Sequence, residues 1–145
     1  MYSHILFPTD GSECADAALA HAIDHATRYD ATLHVLYVAD VREAGHVAPA
    51  VSTSRVRDAL YDSGQEALDR VATEAEDAGV AVETTVTEGT PESEILEFAH
   101  RDEIDLVVMG THGRSGLGRY IIGSVAERVV RGSPVPVLTV RHEQG

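Results

Sequence analysis

The amino-acid sequence predicts an α/β fold: a doubly wound, five-stranded parallel sheet with four helices. Two observations predict it. Short apolar runs rich in β-forming residues alternate with longer stretches of helical periodicity, and the run 104–109 is apolar apart from Asp105, as in strands buried on both faces. The 145 residues also have the size of one domain. We therefore expect a single α/β domain over residues 1–145.

The first part of the chain predicts a strand, a helix and a second strand. Residues 4–7 and 33–38 are the apolar runs, and residues 12–29 between them place small and apolar side chains on one helical stripe. The segment 40–54 shows no clear period and contains Gly, Ala, Pro and Ser. We interpret this segment as a surface loop.

The rest of the chain continues the alternation. Periodic residues 55–78 predict a second helix that ends at Gly79, a residue suited to a helix C-terminus, and a strand follows at 80–87. Thr90 and Pro91 start a third helix that runs to about residue 101. A strand at 104–109, a short helix at 124–131 and a strand that begins at Val135 and ends at Val140 complete the count.

The charge balance excludes several partners. The chain has 24 acidic and 11 basic residues and a formal net charge of -13, which would repel nucleic acid and anionic lipid. All 11 basic residues are arginine, and lysine is absent, so a Walker-type lysine or a Schiff base is excluded. This composition resembles proteins of salt-accumulating organisms, and we expect a halophilic archaeon as the source.

Other features of the composition indicate a cytoplasmic protein. Cys14 is the single cysteine and cannot form an intrachain disulfide. The N-terminal residues do not form a signal peptide, and no apolar run approaches the roughly 20 residues that cross a bilayer. We therefore expect no membrane partner.

Two segments that follow predicted strands are candidates for a binding site, because ligands of open α/β sheets bind beyond the carboxyl ends of the strands. Pro8, Thr9, Asp10, Gly11 and Ser12 follow the first strand. The segment from Gly110 to Ser124 follows the fourth strand, contains five glycines and opens the last helix. Glycines let backbone amides approach a phosphate chain, and a helix N-terminus favours negative charge.

The spacing Gly110-x2-Gly113-x9-Gly123-Ser124 resembles the nucleotide-binding motif of the universal stress protein family. The similarity extends to Thr9 and Asp10 and to the last strand. Members that keep this complete pattern form the ATP-binding class, so the resemblance implies binding of ATP, or of ADP or AMP. It also implies the sheet order 3-2-1-4-5 of the adenine nucleotide alpha hydrolase-like fold, and a homodimer formed through the last strand, 135–140.

The resemblance also implies roles for individual residues. Asp10 would contact the ribose or a Mg²⁺ ion bound to the phosphates, and the backbone of Val38 would pair with adenine. The phosphates and ribose would be held by Gly110, Gly113, Gly123 and Ser124. The pocket would be lined by Thr9, Met109, His112, Arg114 and Val125.

Alternatives remain open at two of these positions. Asp10 is also placed to cap the first helix, and Arg114 could form a surface ion pair instead of contacting phosphate. His21 and His25 lie one helical turn apart, but the sequence offers no third ligand, so we do not expect a metal site there.

The favoured function is a nucleotide-dependent regulatory module of the stress response. The alternative is a slow Mg²⁺-dependent ATP hydrolase or a nucleotide phosphotransfer enzyme, in which Asp10 places the metal and His112 or an arginine assists. The missing lysine argues against a phospho-receiver, and the lack of G-x-G-x-x-G after the first strand argues against a dinucleotide-binding enzyme.

Overall fold

The computed structural model describes residues 1–101, 103–112 and 123–142. Its strands are β1 (His4–Pro8), β2 (Thr32–Ala39), β3 (Val82–Glu88), β4 (Leu106–Gly110) and β5 (Val137–Val140). Its helices are α1 (Glu13–Tyr29), α2 (Val41–Val47), α3 (Thr53–Asp77), α4 (Pro91–Arg101) and α5 (Ser124–Gly132). The predicted α/β class is confirmed.

The sheet is parallel and has the order β3-β2-β1-β4-β5 that the family resemblance implied. β1 pairs with β2 from His4 opposite Thr32 to Pro8 opposite Leu36. On its other side β1 pairs with β4, with Ile5 opposite Leu106. The chain winds outward in opposite directions from these two central strands, so their carboxyl ends flank a crevice.

Side chains of alternate strand residues enter two separate cores, because successive residues of a strand face opposite sides of the sheet. Ile5 and Phe7 are fully buried in the core that also contains residues of α1 and α3. Leu6 is fully buried in the second core, together with Phe98 of α4 and Val129 of α5. Helices therefore cover both faces, as a doubly wound sheet requires.

The expected count of four helices is wrong, since five lie within the described residues. The additional helix is α2, in the segment 40–54 that we had interpreted as a loop. α2 buries none of its residues, so it leaves no apolar period for sequence reasoning to detect. A weaker signal was present: Asp40 caps the helix by accepting a hydrogen bond from Glu43 N at 3.1 Å, in a capping pattern readable from the sequence.

Three strands begin two residues later than predicted, because burial alone does not make a strand. Val80 is 6% exposed, but its N–H donates to Ala75 O at 3.0 Å and so completes the end of α3. Ile104 is likewise buried in a connecting segment.

Within the described part of the chain, no helix has the length and apolar character needed to cross a membrane.

Candidate functional site

A cleft of about 1140 Å³ lies beyond the carboxyl ends of β1, β2 and β4. Most of the residues that the sequence singled out line this cleft. They are Thr9, Asp10, Val38, Met109, Gly110, His112, Gly123, Ser124 and Val125. Gly113 and Arg114, the other two, lie outside the described residues.

The turn after β1 brings a network of short-range hydrogen bonds to the floor of the cleft. Gly11 N donates to the buried Thr9 Oγ1 at 3.1 Å, and Ser12 N donates to Asp10 Oδ1 at 2.9 Å. Ser12 is the N-cap of α1, because its Oγ accepts from Ala15 N at 3.2 Å. Asp10 therefore precedes the cap, and its carboxylate holds the capping residue in place.

The end of β2 turns backbone groups toward the same cleft. Leu36 O accepts from Thr9 N at 2.9 Å, where the pairing of β2 with β1 ends. Backbone groups of a strand alternate in direction, so Val38, two residues further, directs its N–H and C=O to the side of β1. Because β1 ends at Pro8, this edge of Val38 faces the cleft that the residue lines.

Gly110 stands where α1 meets the end of β4. A Cβ added to Gly110 would lie 2.8 Å from Cys14 O and 3.1 Å from Cys14 Sγ, so any larger residue would collide with the backbone of α1. The same cysteine accepts a hydrogen bond from His112 N at 3.3 Å. Close packing is thus one reason for glycine here, whatever the ligand.

His112 is held in place by two hydrogen bonds to neighbouring residues. Its N–H bonds to Cys14 Sγ, and its Nδ1 lies 3.1 Å from Thr111 Oγ1. Thr111 is buried and donates its N–H to Val140 O at 3.0 Å, which ties the site to β5. His112 Nε2 is buried and has no hydrogen-bond partner among the described residues, so it is able to bond to a ligand in the cleft.

The N-terminus of α5 opens into the cleft without a side-chain cap. Gly123 is the N-cap residue and makes no side-chain hydrogen bond, while its N–H donates to Thr111 O at 2.7 Å. Ser124, the first helical residue, is exposed. The first amides of a helix have no partner within the helix and lie at its positive end, which suits an anion such as phosphate.

The second wall of the cleft comes from α2 and α3, and sequence reasoning missed it. It includes Val47, Val51, Val56 and Leu60, all apolar, and Arg55. No motif marks these residues, because they reach the cleft only when α2 and α3 fold against the end of β2. The capping pattern at Asp40 is the one local signal that could have found part of this wall.

Most of the charged residues in the described lining of the cleft are acidic. Its carboxylates belong to Asp10, Asp40, Glu43 and Glu92, of which Glu92 pairs with Arg128 at 2.5 Å. No group of three or more ligating side chains able to hold a metal occurs among the described residues. A Mg²⁺ ion would therefore depend on phosphate oxygens for most of its ligands, with Asp10 as a protein carboxylate nearby.

Residues 1–141 match the family described as the universal stress protein family. A universal stress protein of Methanocaldococcus jannaschii is 43% identical over 141 residues, which cover 97% of this chain and 83% of the relative.

Solved structures agree with this match. A protein of initially hypothetical function, whose biochemical role was assigned from its structure, superposes with a TM-score of 0.88 at 32% identity and covers 100% of this chain and 99% of its own. A universal stress protein solved in complex with cAMP has a TM-score of 0.75 at 25% identity, with 99% of both chains covered.

Proposed function

Because the chain belongs to the universal stress protein family, we propose that it binds an adenine nucleotide, ATP foremost, in the cleft. It acts in the cytoplasm as a nucleotide-dependent regulatory module of the stress response. The observation that carries this proposal is the uncapped N-terminus of α5, which opens into the same cleft as the turn after β1 and the edge of Val38. A relative that binds cAMP supports an adenine nucleotide as the ligand.

Each part of the cleft suits one part of such a nucleotide. The amides and hydroxyl at the start of α5 suit the phosphates, with Gly113 and Arg114 of the connecting segment as expected additional contacts. Asp10 suits the ribose or a phosphate-bound Mg²⁺, and the backbone edge of Val38 suits the hydrogen-bonding edge of adenine. Thr9, Met109, Gly110, His112, Gly123 and Val125 surround these contacts.

A homodimer through β5 is the second part of the proposal. β5 is an edge strand, and all four of its residues are half-buried in the single chain. A second copy would pair with the exposed strand edge and cover the apolar side chains. Light scattering in molar KCl gives the mass of a dimer if this part is correct and the mass of one chain if it is wrong.

The direct test of binding is to release and identify any nucleotide that copurifies with the protein. ATP, ADP, AMP and NAD are then titrated by calorimetry in molar KCl. We expect ATP to bind at submillimolar concentration, and no binding at millimolar concentration would contradict the proposal. Formation of ADP during incubation with Mg²⁺ and ATP would favour the alternative, a slow hydrolase.

Ser124→Asp tests which end of the cleft holds phosphate. An acidic residue in the first turn stabilises a helix, but here its charge would repel a bound phosphate. We expect ATP affinity to fall at least about tenfold, which is about 1.4 kcal/mol, and to fall more for ATP than for AMP.

Ser54→Asp is the matched control, since Ser54 is an exposed serine in the first turn of α3 that does not line the cleft. Equal effects of the two substitutions would show that α5 does not hold the phosphates, and equal losses for ATP and AMP would show that it does not hold the β- and γ-phosphates.

A further inference from the structure

The segment 41–51, which comprises α2 and the turn after it, carries exposed apolar side chains at the rim of the cleft. We call it the α2 segment. Val47 is 79% exposed and Val51 is 46% exposed, and both line the cleft. Val47 belongs to α2, which buries none of its residues, and Val51 lies in the turn after it, so both valines leave apolar surface uncovered at the cleft. Covering an apolar surface of this kind with a ligand lowers the free energy, because the surface is removed from water.

The wall adjoining the α2 segment is apolar too. Val56 of α3 is buried, and Leu60 of α3 and Val38 of β2 are half-buried at the cleft. The cleft volume of about 1140 Å³ is at least as large as the roughly 300–1,000 Å³ typical of small-molecule pockets. A flat aromatic ring therefore fits between the two walls and would contact the apolar side chains of both.

Charge indicates which part of a ligand this end of the cleft receives. Asp40 and Glu43 lie beside the valines on the same wall. Arg55 is the one basic residue that the described part of this wall adds to the cleft lining, so two carboxylates face one guanidinium and phosphate is disfavoured here. The N-terminus of α5 is the better site for the triphosphate. The uncharged nucleobase is the part of the nucleotide that fits an apolar wall with carboxylates at its border.

We propose that Val47 and Val51 close over the nucleobase of the bound nucleotide, so that the α2 segment determines affinity for the base. This inference rests on the proposed function. Binding thereby divides between two independent ends of the cleft: the α2 segment contacts the base, and α5 contacts the phosphates.

The double substitution Val47→Ser and Val51→Ser tests this division. Serine and valine have similar helix propensity, so α2 is retained. We expect ATP, ADP and AMP to lose affinity by the same factor, about tenfold, because all three carry the same base. The affinity for inorganic tripolyphosphate, measured by competition with ATP, stays unchanged. Val130→Ser is the control: Val130 is 49% exposed on α5 and does not line the cleft.

Hydrogen exchange provides a second measurement on the unaltered chain. Saturation with ATP slows exchange at the backbone amides of the α2 segment, and saturation with tripolyphosphate does not. Suppose that ATP binds the wild type, that the double substitution leaves the affinity for ATP unchanged, and that ATP leaves hydrogen exchange in the α2 segment unchanged. The inference then fails and the proposed function stands.

A wild type that binds no nucleotide overturns both the inference and the proposed function. If the double substitution instead converts a dimer to single chains in light scattering, the valines contact a second copy of the chain, and the inference also fails.

Discussion

At the scale of single residues, Gly110 shows that one position can satisfy two requirements. Gly110→Ala places a methyl group 2.8 Å from Cys14 O, and this backbone atom moves only if α1 moves with it. We expect the free energy of unfolding to fall by about 1–3 kcal/mol, as measured by urea denaturation without ligand.

Gly45→Ala is the matched control. Gly45 lies in α2, and a Cβ there meets no atom within 4 Å, so the substitution removes a helix-weakening glycine and adds no collision. We expect a gain of about 0.5–1 kcal/mol. A Gly110→Ala protein as stable as the wild type would mean that α1 and β4 pack less tightly than described.

The sequence predicted the position of Gly110 in the site but not this packing reason. Spacing along the chain shows that glycines cluster between a strand and a helix, which is a local pattern. The contact of Gly110 with Cys14, and of Cys14 with His112, joins residues far apart in sequence. Such contacts depend on how α1 packs against the end of β4, which no local pattern records.

At the scale of elements, Asp105 ties the start of β1 to the segment before β4. Its Oδ2 accepts hydrogen bonds from Ser3 N at 2.6 Å and His4 N at 2.9 Å. The Ser3 bond is the main cause that lowers the pKa of Asp105 below its ordinary value, and the His4 bond adds to it. The folded state thus favours the charged carboxylate more than the unfolded state does.

The sign of the pH dependence follows from this lowered pKa. The stabilisation is complete above the ordinary carboxyl pKa of about 4 and is lost as pH falls through the lower pKa of the folded state. We expect Asp105→Asn to lower the urea midpoint at pH 7, and the difference from wild type to shrink below about pH 4. The control is Asp62→Asn, at an exposed position of α3, which should leave the urea midpoint unchanged at both pH values. If Asp105→Asn lowers the midpoint by the same amount at all pH values, the charge of Asp105 is not the source of the stabilisation.

The elements differ in how well the sequence predicts them. The long helices α1 and α3 bury one stripe of residues each, and that stripe produces the period that reveals them. α2 has no such stripe, so hydrophobicity could not show it. The apolar wall that Val47 and Val51 add to the cleft was missed for the same reason.

At the scale of the whole molecule, the net charge of -13 sets the conditions under which the fold is stable. The Debye length is about 3 Å in 1 M salt and about 10 Å in 0.1 M salt, so repulsion among the acidic residues grows as salt is removed. We expect the melting temperature to fall steadily between molar and 0.1 M KCl. Sucrose, which stabilises folded states without screening charge, should restore little of the loss; full recovery in sucrose would contradict the electrostatic cause.

The pairing of β1 with β4 also determines when the cleft comes into existence during synthesis. Ser3 and Asp105, which lie at the start of these paired strands, are 102 positions apart, and the cleft further requires residues 123–126. A ribosome releases the N-terminal residues first, so β1, α1 and β2 emerge long before the groups that complete the cleft. If the proposed function is correct, nucleotide binds only chains that have emerged beyond residue 126. Its binding energy then stabilises the long-range step of folding that completes the cleft.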